Sequence, residues 1–236
     1  MGRQWLHAKR EVNANKKAKI TSKLVREITI AAKMGAADPD MNPRLAMAVE
    51  AARKQSVSND VIKRAIAKGS GEGGDGAEYE TILYEGMAPH NVPVIVECLT
   101  ENRNRTGSDV KSLFKGGQFG SKVTFLFDHV GIIEATHEDA DKDPEEAAIE
   151  CGAQDVEVPE EQPEGQRAGR FLTDVTDLYT VADALRAAGW NVGSAELGYH
   201  PKDPVALEGE ALTEVENFLE KLEDHDDVQK LHVALK

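Results

Sequence analysis

The chain has 236 residues, is 40% hydrophobic and only 5% aromatic, and carries a formal charge of −14. That length supports a core of Val, Ile, Leu and Ala in one to three domains, and the lack of any run near 18 apolar residues argues against a membrane-spanning helix. Charges where a signal peptide needs its apolar stretch predict a cytoplasmic protein, and Cys98 and Cys151, without metal or redox spacing, fit a reducing compartment.

The charge is unevenly spread. Residues 1–70 hold 15 Lys/Arg against 6 Asp/Glu, about +9, and the other 166 residues hold 13 against 36, about −23. Separation on this scale points to a polyanionic partner for the basic end, with the acidic remainder repelled by it.

Ala8 to Gly69 reads as helices. Lys23 to Lys33 places Leu24, Ile28 and Ala31 on one face, and Gly35 stops it. Asn42-Pro43 supplies an N-cap and a proline at the first helical position, and the helix that follows turns Leu45, Ala48, Val49 and Ala52 inward. A third helix begins after Ser58, buries Val61, Ile62, Ala65 and Ile66, and ends at Gly69. Ser70 to Ala77 has the composition of a flexible linker.

Beyond it the period changes to two. Thr81–Gly86 and Val92–Leu99 are predicted strands joined by a turn at 88–91. Thr106–Lys115 is a predicted helix and Val123–Phe127 a strand. Gly131–Ala135, Pro144–Cys151, Asp155–Val158, Arg170–Val175, Leu178–Ala188 and Asn191–Leu197 then follow the order βαββαβ, the ferredoxin-like plan. A helix at Leu212–Leu222 and a strand at Val228–Ala234 complete the set begun at 79–128, which makes the 130–203 unit an insertion.

Catalysis finds no constellation: the seven histidines have no metal or nucleophile–base spacing, and Cys98 sits in an apolar strand. Asp139, Asp141, Asp143 and Glu150 match a calcium loop except at its sixth position, where Pro144 replaces the required glycine. Gly69 to Gly74 spells a dinucleotide fingerprint but follows a helix rather than a strand, so it reads as linker. No metal or cofactor is expected.

Nucleic-acid contact is the chemistry that the basic end suits. Arg3, Lys9, Arg10, Lys16, Lys17, Lys19, Lys23 and Arg26 are cations in a stretch whose acids are only Glu11 and Glu27. Such a row can neutralise phosphates, and Trp5 can stack on a base. Arg103 and Arg105, between a strand and a helix, would extend the surface, with capping of that helix as an equally weighted alternative for the segment.

Several segments together resemble the YebC/PmpR family of transcriptional regulators, whose relatives include a mitochondrial translational activator. They are Tyr84-Glu85-Gly86, the unbroken block from Val96 to Thr106 (VECLTENRNRT), Ala36-Ala37-Asp38-Pro39 with Asn42, Phe125 to Asp128 and Asp226 to Gln229. The resemblance covers essentially the whole chain. It departs at Gly2-Arg3-Gln4-Trp5, where the family often has Gly-His-Ser-Lys-Trp, and at Pro89-His90-Asn91, where the usual turn is Pro-Gly-Gly.

The expected architecture is a multidomain α and α+β protein: an N-terminal helical bundle followed by two ferredoxin-like α/β modules, the third domain inserted in the second. The expected boundaries are 1–76, then 77–129 with 204–236, and 130–203. The expected protein is not an enzyme. It is a cytoplasmic regulator binding DNA through its basic domain, with no membrane partner. The alternative is a translation factor that binds ribosomal RNA and relieves stalling at proline-rich stretches, its acidic domains meeting ribosomal protein. Phosphate contacts look alike from the protein side, so DNA and RNA both stay open.

Overall fold

The computed structural model describes residues 4–71, 79–159 and 162–236, with side chains in the first helix from residue 18 onward. Part of the predicted linker, from 72, lies outside the described residues. By contacts the chain forms two compact units, one of residues 1–84, 96–113 and 219–230, the other of 85–95, 114–218 and 231–236.

The first unit opens with α1 (Gln4–Met34), a single helix of 31 residues. The stripe predicted at 23–33 is only its last third. Nothing from Gln4 to Met34 is Gly or Pro, so no residue interrupts the hydrogen-bond ladder upstream of the stripe. Next come α2 (Pro43–Lys54) and α3 (Asn59–Gly69). Ile28, Ala31 and Ala32 of α1 pack with Leu45, Ala48, Val49 and Ala52 of α2 and with Ile62 and Ala65 of α3, around Val57. Alanines at these contacts let the helices approach closely.

Asn42 ties the bundle together. Its Oδ1 accepts from the Leu45 amide at 3.1 Å, capping α2. Its Nδ2 donates to the carbonyls of Ala31 and Ala36, each at 2.8 Å, closing the end of α1. A side chain on Gly35 would lie 2.6 Å from that Nδ2, which explains the glycine there.

One four-stranded sheet has the order β3-β1-β2-β8, built from β1 (Glu80–Ala88), β2 (Val92–Thr100), β3 (Gln118–Phe119) and β8 (Val228–Val233). Val92, Val94, Ile95, Val96, Cys98 and Leu99 of β2 are all buried, as in a strand covered on both faces. In the β1–β2 turn, His90 and Asn91 both have φ of 58°. That left-handed geometry is free to glycine and costs other residues energy, so a Gly-Gly turn is the unstrained form here. β3 pairs with β1 over only Gly86↔Phe119 and Met87↔Gln118, a pairing too short for periodicity to predict.

The other sheet has the order β5-β6-β4-β7, from β4 (Phe127–His137), β5 (Asp155–Glu157), β6 (Arg167–Thr173) and β7 (Asn191–Pro201). With α5 (Pro144–Cys151) and α6 (Leu178–Ala187) in the crossovers, this is the expected βαββαβ plan. Leu178, Val181, Ala182 and Leu185 are the buried side of α6, and Phe171 meets Trp190 edge-on at 5.2 Å between ring centroids. Asp143, from the near-miss calcium loop, caps α5 by accepting from the Glu145 amide at 2.9 Å.

Two element expectations fail locally. The strand predicted at 123–127 is instead a 3-10 turn over Thr124–Leu126, followed by one long strand, β4, from Phe127 to His137. The turn forms because the Glu85 carboxylate accepts the Val123 and Thr124 amides at 2.7 and 2.8 Å, removing both from strand pairing. Second, α4 spans Arg103–Leu113, so Arg103 and Arg105 stand in its first turn rather than before it. Asn102 caps it, its Oδ1 accepting from the Arg105 amide at 3.1 Å. The last helix, α7, spans Gly209–Glu223.

Candidate nucleic-acid interface

Lys19, Lys23 and Arg26 fall on one face of α1, at spacings of four and three residues. That face does not stand open. Opposite it are the last residue of α7 and the turn after it, Glu223-Asp224-His225-Asp226-Asp227. Lys19 Nζ reaches Asp224 Oδ1 at 2.9 Å and the Asp224 carbonyl at 3.1 Å. Lys23 Nζ donates to the Glu223 carbonyl at 2.8 Å. Arg26 donates to the Asp226 carbonyl and sits 3.6 Å from Asp227 Oδ1.

These cations differ in depth. The Lys19–Asp224 pair is exposed, with side chains 39% and 62% accessible, whereas the Asp227 side chain is 5% accessible. Burial pushes the Lys23 ammonium below its ordinary pKa, against the opposing fields of Glu223, Asp224 and Asp226.

Asp227 is the hub of this region. Arg105 donates to its Oδ2 at 2.8 Å and the Thr106 hydroxyl donates to the same oxygen at 2.7 Å. Thr106 also lies 2.8 Å from the Thr100 hydroxyl, which accepts the Asn102 amide at 2.9 Å. The Asp227 carbonyl accepts from Leu99 at 2.8 Å. Most of the block from Val96 to Thr106 is thereby explained as structure: a buried strand end, a cap and an anchor. Tyr84-Glu85-Gly86 is structural as well. Tyr84 donates to the Arg103 carbonyl at 3.3 Å, Glu85 builds the 3-10 turn, and a Cβ at Gly86 would lie 2.3 Å from the Phe114 ring.

The expected site residues therefore divide. Lys19, Lys23, Arg26 and Arg105 are brought together, each facing oxygens of the 223–227 segment. Arg103 is exposed at the start of α4. Arg3 lies outside the described residues. Trp5, Lys9, Arg10, Lys16 and Lys17 fall on α1 with side chains outside those described. Sequence reasoning passed over the internal partner, although four acids in five residues at 223–227 marked it. It also passed over Lys33, Arg53 and Lys63, which are exposed on the bundle. Among the described residues no group of three His, Cys, Asp or Glu is placed to hold a metal ion.

Comparison with known proteins covers nearly the full length. Residues 2–72 match the family described as TACO1/YebC protein N-terminal domain, and residues 79–235 the one described as TACO1/YebC second and third domain. A protein named probable transcriptional regulatory protein from Pseudomonas fluorescens (strain Pf0-1) is 50% identical over 238 residues, covering 100% of this chain and 99% of its own. A protein of the same description from Bdellovibrio bacteriovorus is 43% identical over 240 residues, covering 100% of both. The crystal structure of a conserved hypothetical protein from Aquifex aeolicus superposes with a TM-score of 0.82 at 36% identity, over 94% of this chain and 90% of that one.

Proposed function

The chain belongs to the TACO1/YebC family, and on that premise we propose that it is a regulator of gene expression that binds nucleic acid through its basic bundle, with promoter DNA as the principal ligand. The observation that carries this is the charge split, about +9 over residues 1–70 against about −23 elsewhere. Nucleic acid binds through many phosphates at once, each contact releasing counterions, and a helix of 31 residues spans about 46 Å, enough to track several of them. The names of the relatives, probable transcriptional regulatory proteins, support a role in transcription.

In this reading Lys9, Arg10, Lys16 and Lys17 contact phosphate, Arg3 and Trp5 meet the strand beside them, and Arg103 adds a cation from α4. Lys19 and Lys23 stand at the end of the same row. Arg26 and Arg105 hold the fold around Asp227. The protein acts without catalysis, in the cytoplasm. No helix among the described residues is long and apolar enough to cross a membrane.

Titration of the full chain with duplex DNA at several salt concentrations tests this. Neutralising roughly five phosphates gives a log–log slope of about −4 to −5, and a flat salt response overturns the reading. Crosslinking in cells followed by sequencing separates the ligands. Promoter fragments support transcription, and ribosomal RNA shifts the assignment to translation.

A further inference from the structure

We propose that the acidic segment Glu223–Asp226 is an internal competitor for the phosphate-binding face of α1, occupying Lys19 and Lys23 until a nucleic-acid phosphate displaces it. This rests on the function proposed above and adds a regulatory contact to it.

The segment presents oxygens as a phosphate chain would. Successive residues offer the Glu223 carbonyl to Lys23 at 2.8 Å and the Asp224 carbonyl and carboxylate to Lys19 at 3.1 and 2.9 Å. The two lysines lie one helical turn apart, about 6 Å along the axis. All three oxygens that meet these two ammonium groups therefore belong to one short acidic stretch, and a phosphodiester supplies such acceptors with more charge.

The contact is built in two layers, and only the outer one can exchange. Lys19 and Asp224 are half exposed, and ion pairs in such surroundings contribute about 0–1 kcal/mol, so a phosphate replaces the carboxylate at little cost. Beneath it Asp227 is 4% exposed and bonded to Arg105 and Thr106, so the base of the segment stays fixed. Residues 224–226 form a turn between α7 and β8 rather than part of either. They can swing outward, giving up the Arg26 bond to the Asp226 carbonyl and the His225 bonds to the Asp227 and Val228 amides, while the Asp227 side chain and the rest of the strand hold. A phosphate on Lys19 would repel Asp224 and Asp226 and drive that movement.

The competitor leaves a signature in salt dependence. A phosphate that displaces a carboxylate from a lysine releases no counterion from that lysine, so the slope is shallower than the cation count implies. The test compares the full chain with the variant Glu223→Gln/Asp224→Asn/Asp226→Asn, all exposed positions, binding a short mixed-sequence duplex DNA and an RNA of the same length. The variant should bind about three- to tenfold more tightly at low salt, with a slope steeper by about 1. Lys19→Gln should weaken binding in both backgrounds, and at least about threefold more in the variant, where no carboxylate competes for the ammonium.

A second measurement needs no substitution. On addition of the same oligonucleotide, hydrogen exchange should quicken at the Asp224 and His225 amides, which bond to Glu220 and Leu222, and stay unchanged at Leu99, which bonds to Asp227. Equal affinity and slope in the two proteins, with no change in exchange at 224–225, would overturn the competitor and leave nucleic-acid binding intact. Absence of binding by both proteins would overturn the proposed function, and the competitor with it.

Discussion

Arg105 and Asp227 meet at 2.8 Å across 122 residues of sequence, and Arg26 of α1 approaches the second oxygen of the same carboxylate at 3.6 Å. One buried anion thus joins the first turn of α4, the turn before β8 and the long basic helix.

That carboxylate should govern acid stability. Burial would raise the Asp227 pKa, but the hydrogen bonds from Thr106 and Arg105 and the charges of Arg105 and Arg26 outweigh it, so the group is held below its ordinary value. A depressed carboxylate pKa gives stability that is complete above the unfolded value, about 3.9, and is lost as pH falls through the folded one. Asp227→Asn should lower the unfolding free energy by about 1–3 kcal/mol near neutral pH, because it weakens the hydrogen bonds that Thr106 and Arg105 donate to the buried carboxylate. It should also weaken the loss of stability on the acid side. Urea unfolding at several pH values measures both, and identical acid limbs in the two proteins would exclude this role.

The two cysteines should differ in reactivity. Cys98 is fully buried in β2, and burial, with Asp227 and Glu97 adding to it, pushes its thiol up to about 12. Cys151 is only partly buried. Burial and then Glu150 raise the Cys151 thiol too, but a thiol-specific reagent at mildly alkaline pH should label it faster than Cys98, which reacts only at the rate of unfolding. Because the unfolded thiol ionises near 8.5 and the folded one does not, Cys98 should also erode stability as the pH rises above about 8.5. Fast modification of both thiols in the native protein would contradict this placement.

Gly69 should resist a substitution that helix propensity favours. Alanine in a helix gains about 1 kcal/mol over glycine, yet a Cβ here would lie 2.2 Å from the Thr29 carbonyl oxygen and 2.8 Å from Ala32 Cβ. The backbone of α1 cannot yield as a side chain would, so Gly69→Ala should destabilise the fold by about 1–3 kcal/mol. A raised melting temperature would show that α1 and α3 are not packed this closely.

Trp5 should contribute to binding rather than to stability. If its ring stacks on a base, Trp5→Ala weakens binding by about 1–3 kcal/mol and leaves the melting temperature nearly unchanged. Trp190 is 2% exposed and packs against Phe171 and His137, so the fluorescence test needs Trp190→Phe as background. Quenching of Trp5 on adding DNA or RNA supports stacking. A blue-shifted, quencher-protected signal in the free protein assigns Trp5 to the core instead.

Much of the fold was legible because its signals are local or periodic. Asn42-Pro43 marks the start of α2 by capping chemistry, and Leu45, Ala48, Val49 and Ala52, spaced to share a face, are the four residues that α2 buries. The alternation of strand and helix from Phe127 to Pro201 likewise announced its βαββαβ order. The strand expected at 123–127 failed because Glu85, far back in the sequence, takes the amides that a strand would have paired.

The candidate site divides along the same line. Charge composition alone located the excess of cations in the first 70 residues, since clustered cations need no fold to be counted. Which of those cations are already taken was decided by tertiary structure, which carries Asp224 and Asp227 across some 200 residues to Lys19 and Arg26. Ion pairing depends on distance in space and has no period along the chain. Folding alone could therefore turn an apparently open basic face into one that its own acidic segment partly fills.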